Sequence, residues 1–311
     1  MKSVLMFSGQ GSQYIGMGKD LYDNFTVARN VFDQADKILG YSITDIMFNN
    51  EEMLNDTLYT QVAMFTMYVA IIEVLKESGI ETDYACGLSL GEYGALYYNG
   101  VFDFETGLKI LEKRGLFMSE AASSTNGLMS AILGMEADKL LNIINNVDGY
   151  VEIANYNTCG QLVISGEKEA VLKANEIALN NGAKRAIVLN TSGPFHTDLM
   201  KDASDKLAQY LENIELKIPN KKLLVNTTGN FYNGNIKDNM TSQITSSVMF
   251  YQMIEKLIDE DVTTFIEVGP KKTLCGFVKK INRKLDIYNV EDTLSLEKLV
   301  KFLKEEKYEF I

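Results

Sequence analysis

Ser89 stands between glycines in Gly87-Leu88-Ser89-Leu90-Gly91, a match to G-x-S-x-G. An apolar run precedes it and a helical pattern starting near Glu92 follows, so the serine falls on a strand-to-helix turn. Such a turn is tight, which demands small flanks and strains the serine so that its hydroxyl points away from the sheet. A serine at a helix N-terminus also aims the next N–H, that of Leu90, at an oxyanion forming on an attacked carbonyl. Chance produces G-x-S-x-G in many chains, but the strand-turn-helix setting favours the nucleophile.

A serine hydroxyl needs a base. The chain has one histidine, His196, in the polar turn Ser192-Gly193-Pro194-Phe195-His196-Thr197. A lone histidine is more often a satisfied surface or core residue. Its place in a loop, after the serine in chain order, favours the base, although no acid stands out to orient it. Arg114 has Leu111 before it and Phe117 and Met118 after it at helical spacing, which puts a guanidinium on an apolar stripe. Its planar fork fits a carboxylate, and a snorkelling arginine or a structural ion pair is the plainer alternative. Phe7-Ser8-Gly9-Gln10-Gly11-Ser12-Gln13 invites a nucleotide reading but fails it. G-x-G-x-x-G would need glycine at Tyr14, and a phosphate loop ending at Gly18-Lys19 would need glycine at Gln13 and Ser or Thr at Asp20. The loop can still offer an N–H to an oxyanion.

These residues need elements to hold them. Residues 4–7 and 83–86 read as strands, and Leu21, Phe25, Ala28, Phe32, Ala35 and Leu39 recur as one helix ending at Gly40. Residues 61–76 are apolar nearly all round, which predicts a buried helix, and Arg114 lies in a helix over 105–121. Strand, helix, strand, strand, helix, strand follows over 128–133, 136–146, 150–156, 161–165, 168–181 and 184–190, the ferredoxin-like βαββαβ order. A helix over 198–211 and strands near 223–226 and 264–268 resume the first rhythm. The spacing predicts an α/β protein with a parallel sheet, its core over 1–124 and 194–311 and an inserted small subdomain over 125–193.

Composition narrows the classes. The 311 residues carry 42 acids against 30 bases, a net charge of −12 that repels phosphate backbones and anionic lipid, so nucleic acid and membranes are not expected partners. The uncharged run 62–72 falls short of the roughly 20 residues a membrane span needs. The three cysteines, Cys86, Cys159 and Cys275, have no C-x-x-C spacing and fit free thiols in the cytoplasm. One histidine excludes a zinc site built on several, and no metal is expected.

Together these segments resemble the malonyl-CoA:acyl carrier protein transacylases of bacterial fatty acid synthesis over nearly the whole length. The shared residues are FSGQGSQ at 7–13, Thr60-Gln61, GLSLGEY at 87–93, Lys113-Arg114-Gly115 with Met118, Asn155, Gly160-Gln161, 164–166, GPFH at 193–196, Gln243 and EVGP at 267–270. The resemblance implies an α/β-hydrolase-like core with a ferredoxin-like insertion. It implies acylation of Ser89, His196 as base, Arg114 on the malonyl carboxylate, and oxyanion N–H groups from Gln10 and Leu90. Gln243 falls where the family orients its histidine through a main-chain carbonyl. The implied activity is acyl carrier protein S-malonyltransferase, a ping-pong transfer from malonyl-CoA to the carrier's thiol with no cofactor. This chain departs from the family at Leu88, where many members have histidine, at Ser8 and Lys271, and at Ser246-Ser247, where Asn-Pro is usual. Phe195 and Leu88, beside the base and the nucleophile, are expected to set specificity.

Between Gly269 and Leu285 lie Lys271, Lys272, Lys279, Lys280, Arg283 and Lys284 and no acid. Lys279, Lys280 and Arg283 are expected to dock an acidic carrier protein, and an ordinary solvated helix face is the plain alternative. A serine hydrolase such as a thioesterase would share Ser89 and His196 without needing Arg114, and a vestigial binding module would need none of the three.

Overall fold

A computed structural model of the chain describes residues 1–308. In chain order the first elements are β1 (Lys2–Phe7), α1 (Lys19–Asn24), α2 (Thr26–Leu39), α3 (Ile43–Asn49), α4 (Glu51–Leu54) and α5 (Thr57–Glu77). There follow β2 (Tyr84–Gly87), α6 (Gly91–Tyr98), α7 (Phe104–Ser123), β3 (Gly127–Leu133), α8 (Ala137–Ile144), β4 (Val151–Thr158) and β5 (Gln161–Glu167). Next come α9 (Lys168–Asn180), β6 (Arg185–Val188), a 3-10 turn (Asp198–Met200), α10 (Lys201–Leu211), β7 (Lys222–Val225) and β8 (Asn230–Phe231). The last are α11 (Ile236–Ser242), α12 (Phe250–Asp259), β9 (Val262–Val268), α13 (Thr273–Ile281), β10 (Asp286–Val290) and α14 (Thr293–Tyr308).

The chain folds into two compact units. The first takes Met1–Glu112, Lys217–Leu223 and the described residues from Ile258 on. Its sheet runs β10-β9-β1-β2-β7 with every pair parallel. Register aligns the strand ends, since Phe7 pairs with both Gly87 and Val268. The loops that start at Ser8, Leu88 and Gly269 therefore emerge side by side at the carboxyl edge of the sheet, where open α/β sheets place their chemistry. Helix α6 packs on β1 and β2, and α13 on β9 and β10. The apolar run seen at 62–72 is part of the 21-residue α5, long enough to cross a membrane, yet 83% of its apolar window is buried in the fold. Its apolarity therefore belongs to a core.

Two local expectations fail. The periodic run from Leu21 to Leu39 is two helices, because Phe25 sits at φ −124° and ψ 119° and closes α1 by giving its N–H to the Leu21 carbonyl. The run 198–211 begins as a 3-10 turn before α10.

The second unit takes Lys113–Leu216 and Leu224–Leu257, so it reaches beyond the 125–193 expected for the insertion on both sides. Its sheet is antiparallel in the order β4-β5-β3-β6, the split arrangement of βαββαβ. Leu140 of α8 and Val171 and Ala174 of α9 pack on Ile132, Ile153, Leu162 and Ile164 of the strands, all nearly inaccessible to solvent. Truncating one of these isoleucines to alanine would cost about 2 to 5 kcal/mol. The segment after Gln243 is fastened to β4. Val248 exchanges backbone bonds with Ala154 (2.8 Å) and Tyr156 (2.9 Å), and the Ser247 hydroxyl donates to the Ile153 carbonyl at 2.7 Å.

Candidate active site

In the first unit β2 runs into α6 through a turn that leaves no room for side chains at its glycines. A Cβ at Gly87 would lie 2.1 Å from the Gly91 carbonyl carbon, and one at Gly91 would lie 2.1 Å from the Phe7 carbonyl oxygen. Between them Ser89 is held at φ 53°, in the left-handed region that non-glycine residues rarely enter. The turn is closed by Leu88 N–H to Phe7 O, Gly91 N–H to Leu88 O and Glu92 N–H to Ser89 O, each 3.0 Å. Ser89 is half-buried, and Leu90 caps the N-terminus of α6.

The loop after β1 lies directly on this elbow. A Cβ at Gly9 would stand 2.6 Å from Leu88 Cδ2 and 2.9 Å from the Leu88 carbonyl oxygen, so glycine lets the two segments touch. The unusual Leu88 thus packs over the loop that carries Gln10. Ser12 Oγ donates to the Gly9 carbonyl at 2.7 Å, and Gln10 Nε2 donates to Thr57 Oγ1 at 2.9 Å. Among the described residues, no protein group accepts from the backbone N–H of Gln10 or of Leu90. A pair of N–H donors beside a strained serine is what an oxyanion requires.

Glu267, in the third loop's EVGP, has a structural task. Its two carboxylate oxygens accept from Leu274 N–H (3.1 Å) and Cys275 N–H (2.8 Å), pinning the start of α13. Burial raises its pKa despite those donors.

In the second unit Arg114 projects from α7 and is 1% exposed. It gives Nη2 to Gln243 Oε1 at 3.1 Å, and Gln243 Nε2 reaches Asn226 Oδ1 at 3.5 Å. The main-chain carbonyl of the same glutamine faces His196 Nδ1 at 2.9 Å, with the Ser246 carbonyl at 3.1 Å. Two carbonyl oxygens can only accept, so the proton sits on Nδ1 and Nε2 keeps its lone pair. That is the tautomer a general base needs, and two main-chain carbonyls secure it. Burial, and then the positive charge of Arg114, push the His196 pKa down to about 4 against the two carbonyls, which raise it. His196 is itself at φ 61°, fixed by its N–H to the Ile244 carbonyl at 3.2 Å. Phe195 is buried beside it, and a Cβ at Gly193 would meet Ala122 Cβ at 2.4 Å and the Phe195 ring at 3.6 Å.

The expected residues thus fall into two groups. Gln10, Leu88, Ser89 and Leu90 come together in the first unit, and Arg114, Phe195, His196 and Gln243 in the second. Lys279, Lys280 and Arg283 are exposed at the end of α13, away from its buried Leu274, Phe277 and Val278. Sequence reasoning missed three contributors: Thr57, which holds Gln10, Asn226, which holds Gln243, and the carbonyl of Ser246. The first two were open to suspicion as polar residues in apolar or turn settings, but a carbonyl leaves no mark in a sequence.

A model of the acyl transferase domain matches residues 4–306. The malonyl CoA-acyl carrier protein transacylase of Bacillus subtilis (strain 168) is 43% identical over 311 residues, covering 98% of each chain. The crystal structure of malonyl CoA-acyl carrier protein transacylase from Clostridium perfringens superposes with a TM-score of 0.96 at 43% identity, covering 99% of each chain. A malonyl-transacylase solved in complex with a type II PKS acyl-carrier protein gives a TM-score of 0.94 at 36% identity, covering 97% of this chain and 99% of that one. With a serine elbow, a carbonyl-oriented histidine and a buried arginine behind these matches, the chain belongs to the acyl transferase family, among the malonyl CoA-acyl carrier protein transacylases.

Proposed function

We propose that the protein is an acyl carrier protein S-malonyltransferase that moves malonyl from malonyl-CoA to the phosphopantetheine thiol of acyl carrier protein, serving fatty acid synthesis in the cytoplasm. Ser89 Oγ attacks the thioester carbonyl while its proton passes to His196 Nε2. The N–H groups of Gln10 and Leu90 hold the oxyanion as the tetrahedral intermediate forms. Collapse breaks the C–S bond, and His196 returns the proton to the departing CoA thiolate. The carrier's thiol then gives its proton to His196 and attacks the malonyl-serine ester, and the Ser89 oxygen leaves and regains that proton. Arg114 holds the malonyl carboxylate through both halves.

A serine elbow and histidine would equally serve a hydrolase. The observation that carries the malonyl reading, against a plain thioesterase, is the buried Arg114, joined by Gln243 to the histidine, because a guanidinium there fits a carboxylated acyl group. Product analysis separates the two readings: malonyl on the carrier thiol supports the transferase, and free malonate as the main product would support a hydrolase. The cationic end of α13, with Lys279, Lys280 and Arg283, is proposed as the docking surface for the acidic carrier.

A further inference from the structure

The Gln10 loop carries an N–H whose position must be held closely, yet its backbone is soft. Gly9 and Gly11 flank Gln10, and Gly11 is at φ 98°. The loop's own side chains supply the missing stiffness. Gln10 Nε2 donates to Thr57 Oγ1 at 2.9 Å, and Gln13 Nε2 donates to Asn55 Oδ1 at 3.0 Å. Gln13 Oε1 folds back to accept from Gly11 N–H at 2.7 Å. Both anchors lie across the α4–α5 turn, and they differ in firmness: Asn55 is exposed, whereas Thr57 is 1% exposed and opens α5. That end of α5 is itself capped, with Asp56 Oδ1 accepting from Leu58 N–H at 2.9 Å and Thr60 Oγ1 donating to the Leu54 carbonyl at 2.6 Å. The Thr57 hydroxyl is therefore a fixed point on a helix most of whose residues are buried.

We infer that Thr57 is a positioning residue for the reaction: through the Gln10 amide it fixes the Gln10 backbone N–H against the oxyanion. The inference rests on the proposed acylation of Ser89. It separates the two functions of Gln10, whose backbone stabilises the oxyanion while its side chain ties the loop down. Preorganised donors work only at the place where charge develops, and displacement by about 1 Å can cost about 100-fold. The ground-state substrate gains little from that N–H, so the loss belongs in kcat.

The test is the rate of malonyl loading onto Ser89, followed by intact mass in single turnovers with Thr57→Val, Thr57→Ser, Gln10→Ala and the Thr57→Val/Gln10→Ala pair. Thr57→Val keeps the shape and removes the hydroxyl, and Gln10→Ala keeps the backbone N–H and removes the tether. Each should slow loading by about 10- to 100-fold, with the double variant no slower than either single one and Thr57→Ser near the wild-type rate. Malonyl-CoA affinity, measured in a Ser89→Ala background, should be the same with and without Thr57→Val. Should Thr57→Val fail to fold, Gln10→Ala alone must still slow loading. Wild-type loading rates in Thr57→Val and Gln10→Ala would overturn the positioning role alone, as would additive losses or a matching fall in affinity. Absence of a malonyl adduct on wild-type Ser89 would overturn the reading beneath it.

Discussion

His196 is held neutral down to a pKa of about 4, where an exposed imidazole ionises at 6.5. Its group therefore binds a proton in the unfolded chain, between those two values, that it refuses in the folded one. Folding therefore suffers no penalty from this residue above pH 6.5, loses stability as pH falls from 6.5 to 4, and changes no further below. At about 1.4 kcal/mol per pH unit, the full loss is roughly 3 kcal/mol. The assay is urea unfolding of the wild type and His196→Asn at intervals from pH 7.5 to 4. Other groups, Glu267 among them, titrate in both proteins and cancel in the difference. The stability of the wild type relative to the variant should decline by about 3 kcal/mol across that range. The acid limb of kcat/KM should likewise lie well below pH 6.5, and that of kcat somewhat higher, since a bound malonyl carboxylate offsets the Arg114 charge. Parallel unfolding curves together with an acid limb at pH 6.5 would refute a buried, neutral base.

Arg114→Ala should cost malonyl transfer roughly 2 to 5 kcal/mol while acetyl transfer holds or rises, and a parallel fall in both would make Arg114 structural. The same variant should raise the acid limb, because the charge that depresses His196 is gone. Phe195→Ser should relax discrimination against methylmalonyl-CoA by about 1 to 3 kcal/mol, read from the ratio of kcat/KM values for the two acyl donors, because the buried ring then makes room for a branch. Reversing Lys279, Lys280 and Arg283 to Glu should raise KM for the carrier severalfold and flatten its salt dependence, with KM for malonyl-CoA less changed. Equal effects on both substrates would point to CoA phosphate instead.

Much of this was legible in the sequence because the chemistry sits at strand ends, where turn geometry dictates residue type. Gly87, Gly91 and Gly9 are glycines because a Cβ would strike backbone or Leu88, so the spacing of the elbow is steric necessity written in letters. The βαββαβ rhythm was equally legible, since short apolar runs alternate with longer helical patterns from 128 to 190. Other features were hidden for physical reasons. The apolar spacing from Leu21 to Leu39 continues unbroken across Phe25, although the backbone there leaves the helix. Helices α3 and α4 are short and depend on caps from Ser42 and Asn50 rather than on a long apolar face. The role of Gln243 could come only from family resemblance, because its work on His196 is done by a carbonyl that any residue carries. Phe7, Gly87 and Val268, distant in sequence, meet through parallel register, which single-strand patterns do not encode.

The proposed mechanism turns on a malonyl-serine intermediate at the strained Ser89. Intact mass of the protein after brief exposure to malonyl-CoA, with peptide mapping, tests it most directly. The wild type should gain one malonyl group on the peptide containing Ser89 and lose it when carrier protein is added, and Ser89→Ala should gain none. A malonyl adduct retained by Ser89→Ala, or a wild type that turns over with no adduct at Ser89, would contradict the account.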